Sequence, residues 1–105
     1  MSKKDFYTLL AEQKMTIVKF TAAWCGPCKK CAPFVKNCVE CLPEGIKYME
    51  IDIDKFPILK RAMRIKQVPT FWCFVGDEQK WVIQDSDEKK IMTFFQKVVS
   101  EYNKL

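Results

Sequence analysis

Apolar residues along the chain change period several times, and each change marks an element. Phe6, Leu9 and Leu10 share one helical face behind Ser2, which has Asp5 three residues on, so a first helix is expected from about Lys3 to Lys14. Met15 to Thr21 is a short, largely apolar and β-branched run, the pattern of a central strand covered on both faces; Lys19 is the exception inside it. Cys28, Cys31, Ala32, Val35, Cys38, Val39 and Leu42 return to helical spacing, predicting a long amphipathic helix kinked at Pro33 and stopped before Pro43. Ile46 to Asp52 alternates as a second strand, and Lys55 to Arg64 reads as a short third helix.

After Val68-Pro69, the run Thr70 to Val75, the turn Gly76-Asp77 and the run Lys80 to Ile83 predict a β-hairpin. Asp85 with Glu88 three residues later suits the start of a last helix, whose apolar face is Ile91, Phe94, Phe95, Val98, Val99 and Tyr102. Strand, helix, strand, helix in succession implies a parallel pair joined by a right-handed crossover. The expected fold class is α/β, with about four strands and four helices in a single domain spanning 1–105.

Composition narrows the chemistry. The chain of 105 residues has six cysteines and no histidine, so nucleophile activation by imidazole and imidazole metal ligation are both excluded. No apolar run is long enough for a membrane span, and Met1-Ser2-Lys3-Lys4-Asp5 lacks the apolar stretch of a signal peptide. A cytoplasmic, reducing compartment is therefore expected, in which six cysteines suggest redox or metal chemistry rather than a disulfide scaffold. A thiolate cluster built from Cys25, Cys28, Cys31, Cys38 and Cys41 is disfavoured, because helical spacing spreads Cys28 to Cys41 over roughly 20 Å. Cys31, Cys38 and Cys73 read as small core residues, and Cys38 and Cys41 as candidate regulatory thiols.

The net charge of +5 has a location. Residues 1 to 36 hold seven lysines against Asp5 and Glu12, while the remainder cancels. With no arginine cluster or recognition motif, nucleic-acid binding is not expected. A positive field around the first cysteines would favour thiolate and steer acidic partners.

Trp24-Cys25-Gly26-Pro27-Cys28 stands where the first strand ends and the long helix begins. Two thiols separated by two intervening residues can close a small disulfide ring, and Gly-Pro supplies a stiff turn. A helix N-terminus presents free amide donors and the positive end of the dipole, so Cys25 can ionise near neutral pH without histidine. Cys28, one turn in, is placed to resolve a mixed disulfide.

This box, with Val68-Pro69-Thr70 before the hairpin, resembles the active site of the thioredoxin family, and element order and motif spacing agree from Met15 to Tyr102. The resemblance implies a thioredoxin fold with a central mixed four-stranded sheet. It implies that Cys25 attacks disulfides in target proteins and Cys28 resolves the intermediate, with Pro69 cis beside the pair. The substrate groove would be formed by Trp24, Gly26, Pro27, Val68 and Pro69. It also implies no bound cofactor, electrons returning instead from NADPH through a separate thioredoxin reductase.

Three departures qualify these expectations. Lys19 occupies the position where the family usually has a buried aspartate; it is expected to pair with Glu50 on the neighbouring strand, the two acting as modulators that favour the thiolates. The usual N-terminal edge strand is missing, which exposes a sheet edge through which the chain could dimerise. Ile83-Gln84-Asp85-Ser86 stands where a glycine usually borders the groove. The alternative reading is a non-enzymatic interaction or scaffold module that keeps the fold; a secretory oxidase or isomerase is disfavoured by Gly-Pro between the cysteines.

Overall fold

A computed structural model describes residues 1–105. The elements are α1 (Lys3–Ala11), β1 (Met15–Thr21), α2 (Gly26–Glu40), β2 (Ile46–Asp52), α3 (Pro57–Ala62), β3 (Thr70–Val75), β4 (Glu78–Ile83) and α4 (Glu88–Tyr102). The four strands form one mixed sheet in the order β2-β1-β3-β4. β1 runs parallel to β2, with Met15 opposite Ile46, and antiparallel to β3, with Met15 opposite Val75. β3 and β4 are the expected hairpin.

Every residue of β1 except Thr21 is buried, as its apolar run requires, because the sheet is covered on both faces. Phe6 and Leu10 of α1 and Leu59 of α3 pack with Val18, Phe20 and Phe74 on one face. Cys31 and Val35 of α2 and Ile91, Phe94, Phe95 and Val98 of α4 pack with Met15, Ile17, Phe71 and Cys73 on the other. Alternation along β1 therefore feeds two cores, and burial of four phenylalanines below 2% exposure (Phe6, Phe20, Phe71 and Phe74) supplies much of the driving force. Gly45 packs against Tyr102 so closely that a methyl group there would meet the ring, which fixes the end of α4 to the turn before β2.

Local chemistry explains where the elements begin and end. The first helix stops at Ala11 rather than Lys14. α2 continues across Pro33, whose missing N–H leaves one helical hydrogen bond unmade. The third helix is shorter than the Lys55–Arg64 expectation: the Asp52 carboxylate accepts from the amides of Asp54 and Lys55 and holds a turn, so helix begins only at Pro57. It ends in a left-handed Arg64 (φ 54°), with the Ile65 amide bonded to the Lys60 carbonyl at 3.0 Å and the Arg64 amide to the Arg61 carbonyl at 3.2 Å.

Asp87, not Asp85, caps α4, its carboxylate accepting from the Lys90 amide at 3.1 Å. Asp85 sits one step back, accepting from the Asp87 amide and pairing with Lys90. At the hairpin, Gly76 takes φ 59° and allows the two-residue turn, and Lys80 is the extra residue of a bulge in β4. No strand precedes α1, so the outer edge of β2 pairs with no other strand of this chain.

Candidate active site

β1 delivers the chain to the carboxyl end of the sheet, and after Ala22, Ala23 and Trp24 it turns into α2. Cys25 is the helix N-cap, and its Sγ accepts from the Cys28 amide at 3.1 Å. One of the amides that a helix start leaves unpaired is thus aimed at sulfur. Cys25 and Cys28 are joined as a disulfide with Cα atoms 5.3 Å apart, and both are at most 3% exposed. Proline at the first turn of α2 has no amide to lose there, and Gly26 and Pro27 are exposed.

The Val68–Pro69 peptide is cis, and the Val68 carbonyl oxygen lies 3.6 Å from Cys25 Sγ. The loop that carries it is held at two points. Thr70 Oγ1 donates to the Gln67 carbonyl at 2.6 Å, and Gln67 Nε2 donates to the Gln84 carbonyl at 2.6 Å, tying this loop to the end of β4. Trp24 is 67% exposed at the rim, with its indole N–H donating to Asp54 Oδ2 at 2.8 Å. The structure therefore gathers Trp24, Cys25, Gly26, Pro27 and Cys28 at one start of a helix and brings Val68 against Cys25.

Asp54 is the contact that sequence reasoning missed. Its only signal is position: an acidic residue just past the carboxyl end of β2, at the pole of the sheet where strand ends and helix starts converge.

Lys19 is only 2% exposed and faces Glu50 in the β1/β2 register. The expected Lys19–Glu50 ion pair does not form: the ion pairs of the chain within 4.0 Å are Lys80–Glu78, Lys90–Asp85 and Lys104–Glu101. Glu50 lies on an edge strand, where its carboxylate remains exposed and accepts from the Tyr48 hydroxyl at 2.7 Å. Drawing that carboxylate inward would cost its hydration, whereas Tyr48, two residues away on the same face, offers a hydrogen bond without burial. Burial, with the Glu50 carboxylate, pushes the Tyr48 hydroxyl far up.

The other thiols are separated from this chemistry. Cys31, one turn below Cys28, has its Sγ 3.5 Å from the Cys28 carbonyl; burial pushes this thiol up, against the pull of Lys19. Burial pushes Cys38 up as well and raises Cys73 to about 12. Cys41 is exposed at the far end of α2, on the rim of an apolar hollow of about 550 Å³ lined by Phe34, Leu42, Phe95 and Val99. No group of three or more cysteine or acidic side chains is arranged to hold a metal ion.

Residues 1–98 match the family model described as thioredoxin. A thioredoxin-2 from Pyricularia oryzae is 33% identical over 76 residues, covering 72% of this chain and 44% of that protein. Thioredoxin 1 from Plasmodium falciparum is 31% identical over 70 residues, covering 67% of this chain and 66% of its own. Thioredoxin-1 from Drosophila yakuba is 29% identical over 97 residues, covering 90% of this chain and 91% of its own. The first match thus spans under half of its relative's length, and the second about two thirds. Among solved structures, oxidised thioredoxin from Plasmodium falciparum superposes with a TM-score of 0.82 at 23% identity, covering 93% of each chain. The germline-specific thioredoxin Deadhead from Drosophila melanogaster gives 0.81 at 27%, covering 93% of this chain and 95% of its own.

Proposed function

We propose, from the premise that this chain belongs to the thioredoxin family of thiol-disulfide oxidoreductases, that it reduces disulfides in target proteins through Cys25 and Cys28. The observation that carries this reading is the placement of Cys25 at the N-cap of α2 with the Cys28 amide on its sulfur. Amide donors and the positive helix end favour thiolate at that atom, which is the nucleophile of thiol–disulfide exchange.

In the dithiol form, Cys25 thiolate attacks one sulfur of the target disulfide; a Cys25–target disulfide forms and the first target thiolate leaves. Cys28 then attacks Cys25 Sγ, the Cys25–Cys28 disulfide closes, and the second target thiolate leaves. Two electrons have passed to the target, and its two thiolates take up protons. The exposed Trp24 ring and the Val68 carbonyl beside Cys25 are suited to receive an extended target segment, the carbonyl as a backbone acceptor. A separate reductase drawing on NADPH returns the electrons.

Lys19 enters as a positioning residue: a largely buried lysine close enough to act on Cys31, one turn along α2 from Cys28, and without a carboxylate partner favours negative charge on the thiols, and so the dithiol over the disulfide. A reducing compartment belongs to the same reading, supported by four cysteines that stand free beside the one disulfide.

The test is reduction of insulin disulfides with dithiothreitol as the electron source. Turnover should exceed the dithiothreitol background, vanish in Cys25→Ser, and give a trapped mixed disulfide with target in Cys28→Ser. Equal rates for the unaltered protein and Cys25→Ser would refute the proposal.

A further inference from the structure

β4 is a terminal strand of the sheet, and α4 runs beside it. Between them lies a groove of about 510 Å³ away from the disulfide, lined by Lys80, Trp81, Ile83, Lys89, Lys90, Thr93, Phe94 and Lys97 among others. Four lysines line it and no carboxylate does, the acidic partners of two of them standing outside the lining. Lys89, Thr93 and Lys97 recur every fourth residue and so share one face of α4, beside the edge strand.

The lysines differ in what holds them. Lys80 pairs with Glu78 at 3.1 Å and Lys90 with Asp85 at 3.0 Å, both exposed pairs of a kind that contributes little and exchanges readily. Lys89 and Lys97 have no ion pair within 4.0 Å; Lys97 Nζ instead stands 5.2 Å from the centre of the half-buried Trp81 ring. An aromatic floor, a ring of lysines and a free strand edge are the parts of a site for an extended peptide.

We infer that the β4–α4 groove docks an extended acidic segment of a partner protein, its carboxylates on Lys80, Lys89 and Lys97 and its backbone along Trp81–Ile83. The bulge at Lys80 restricts edge pairing to those last three residues of β4, where the ladder with β3 is regular. A second copy of this chain is disfavoured as the occupant, because antiparallel pairing of two β4 edges would add the unpaired Lys89 and Lys97 of each copy to one surface. The Ile83 end opens toward the Gln67–Gln84 hydrogen bond, so a docked segment leads toward the loop beside Cys25. Asp85, Asp87 and Glu88 line a neighbouring hollow with Lys30, Cys31 and Lys89, and favour a segment that carries no negative charge there. The groove thus selects targets by the charge of residues well away from the disulfide that reacts.

The probe is a capped peptide of about ten residues alternating Glu and Thr, with no cysteine, so that binding is read independently of dithiol chemistry. Amide shifts in the NMR spectrum should concentrate in 78–83 and 89–97, and a Lys–Thr peptide should leave them unmoved. The double variant Lys89→Gln, Lys97→Gln should weaken binding at least fivefold. The same charge loss on α1, as Lys3→Gln with Lys4→Gln, should change it less than twofold, and added salt should weaken it steadily. Equal weakening by the two double variants would overturn the inference, as would tighter binding of an oligothymidylate of equal length, which would mark an unselective polyanion surface. Absence of binding at millimolar peptide would overturn it too.

Discussion

Alkylation of the oxidised protein should sort the four free thiols by environment, and the structure supplies the size of the effect. Cys73 is fully buried, and burial raises its thiol from the ordinary 9.0 to about 12. At pH 8 an ordinary thiol is about one-tenth thiolate and one titrating near 12 about one ten-thousandth, so ionisation alone slows Cys73 by about a thousandfold. Exclusion of reagent from a residue at 0% exposure adds to that factor. Cys41 is the one exposed thiol and should label first with iodoacetamide, as digestion and mass spectrometry would show; Cys31 and Cys38 should follow far more slowly. Labelling of Cys73 within tenfold of Cys41, with circular dichroism unchanged, would refute this account of the core.

The same shift sets a pH dependence. The folded state holds the Cys73 proton more tightly than the unfolded chain, so this contribution to stability is fully present below about pH 9. It is lost progressively as pH rises toward about 12. The three-unit shift corresponds to about 4 kcal/mol at most, and urea midpoints should fall across that alkaline window.

Two further outcomes follow from the site and its supports. Lys19→Met removes the amine while keeping most of the volume, and should move the Cys25–Cys28 potential by about 30 mV toward more reducing values for each tenfold loss in dithiol preference. An unchanged potential, measured against glutathione, would remove Lys19 from the redox chemistry. Asp87→Ala should cost about 1 kcal/mol in urea unfolding through loss of the α4 cap, whereas Asp85→Ala, which leaves that cap in place, should cost less.

The legible parts of this molecule are those governed by local rules. β1 is buried on both faces and reads as an apolar run; the hairpin announces itself through Gly76-Asp77 between two such runs; Trp24 to Cys28 carries its chemistry in five consecutive residues. What escaped depends on distance or on water. Asp54 meets Trp24 across thirty residues, and nothing in its own neighbourhood signals the indole. The β1/β2 register does place Lys19 opposite Glu50, yet a sequence shows charges without showing which of them solvent retains. Asp85 and Asp87 both satisfy the rule for a helix start, and only the path of the chain decides between them. β4 begins at Glu78, two residues before the expected run Lys80 to Ile83, because an exposed edge strand has no buried face there to impose alternation.

Cys25 and Cys28 are three positions apart. A crosslink stabilises mainly by shrinking the unfolded ensemble, and by loop-closure reasoning a ring this small is worth only about 2 kcal/mol, against nearly 5 for a loop of about 100 residues. Of the two cores that flank the sheet, one includes Cys25 and Cys28 among thirteen buried residues and the other includes neither. Opening the bond therefore releases a small constraint at one helix end, and the packing that covers both faces of the sheet remains available to either oxidation state.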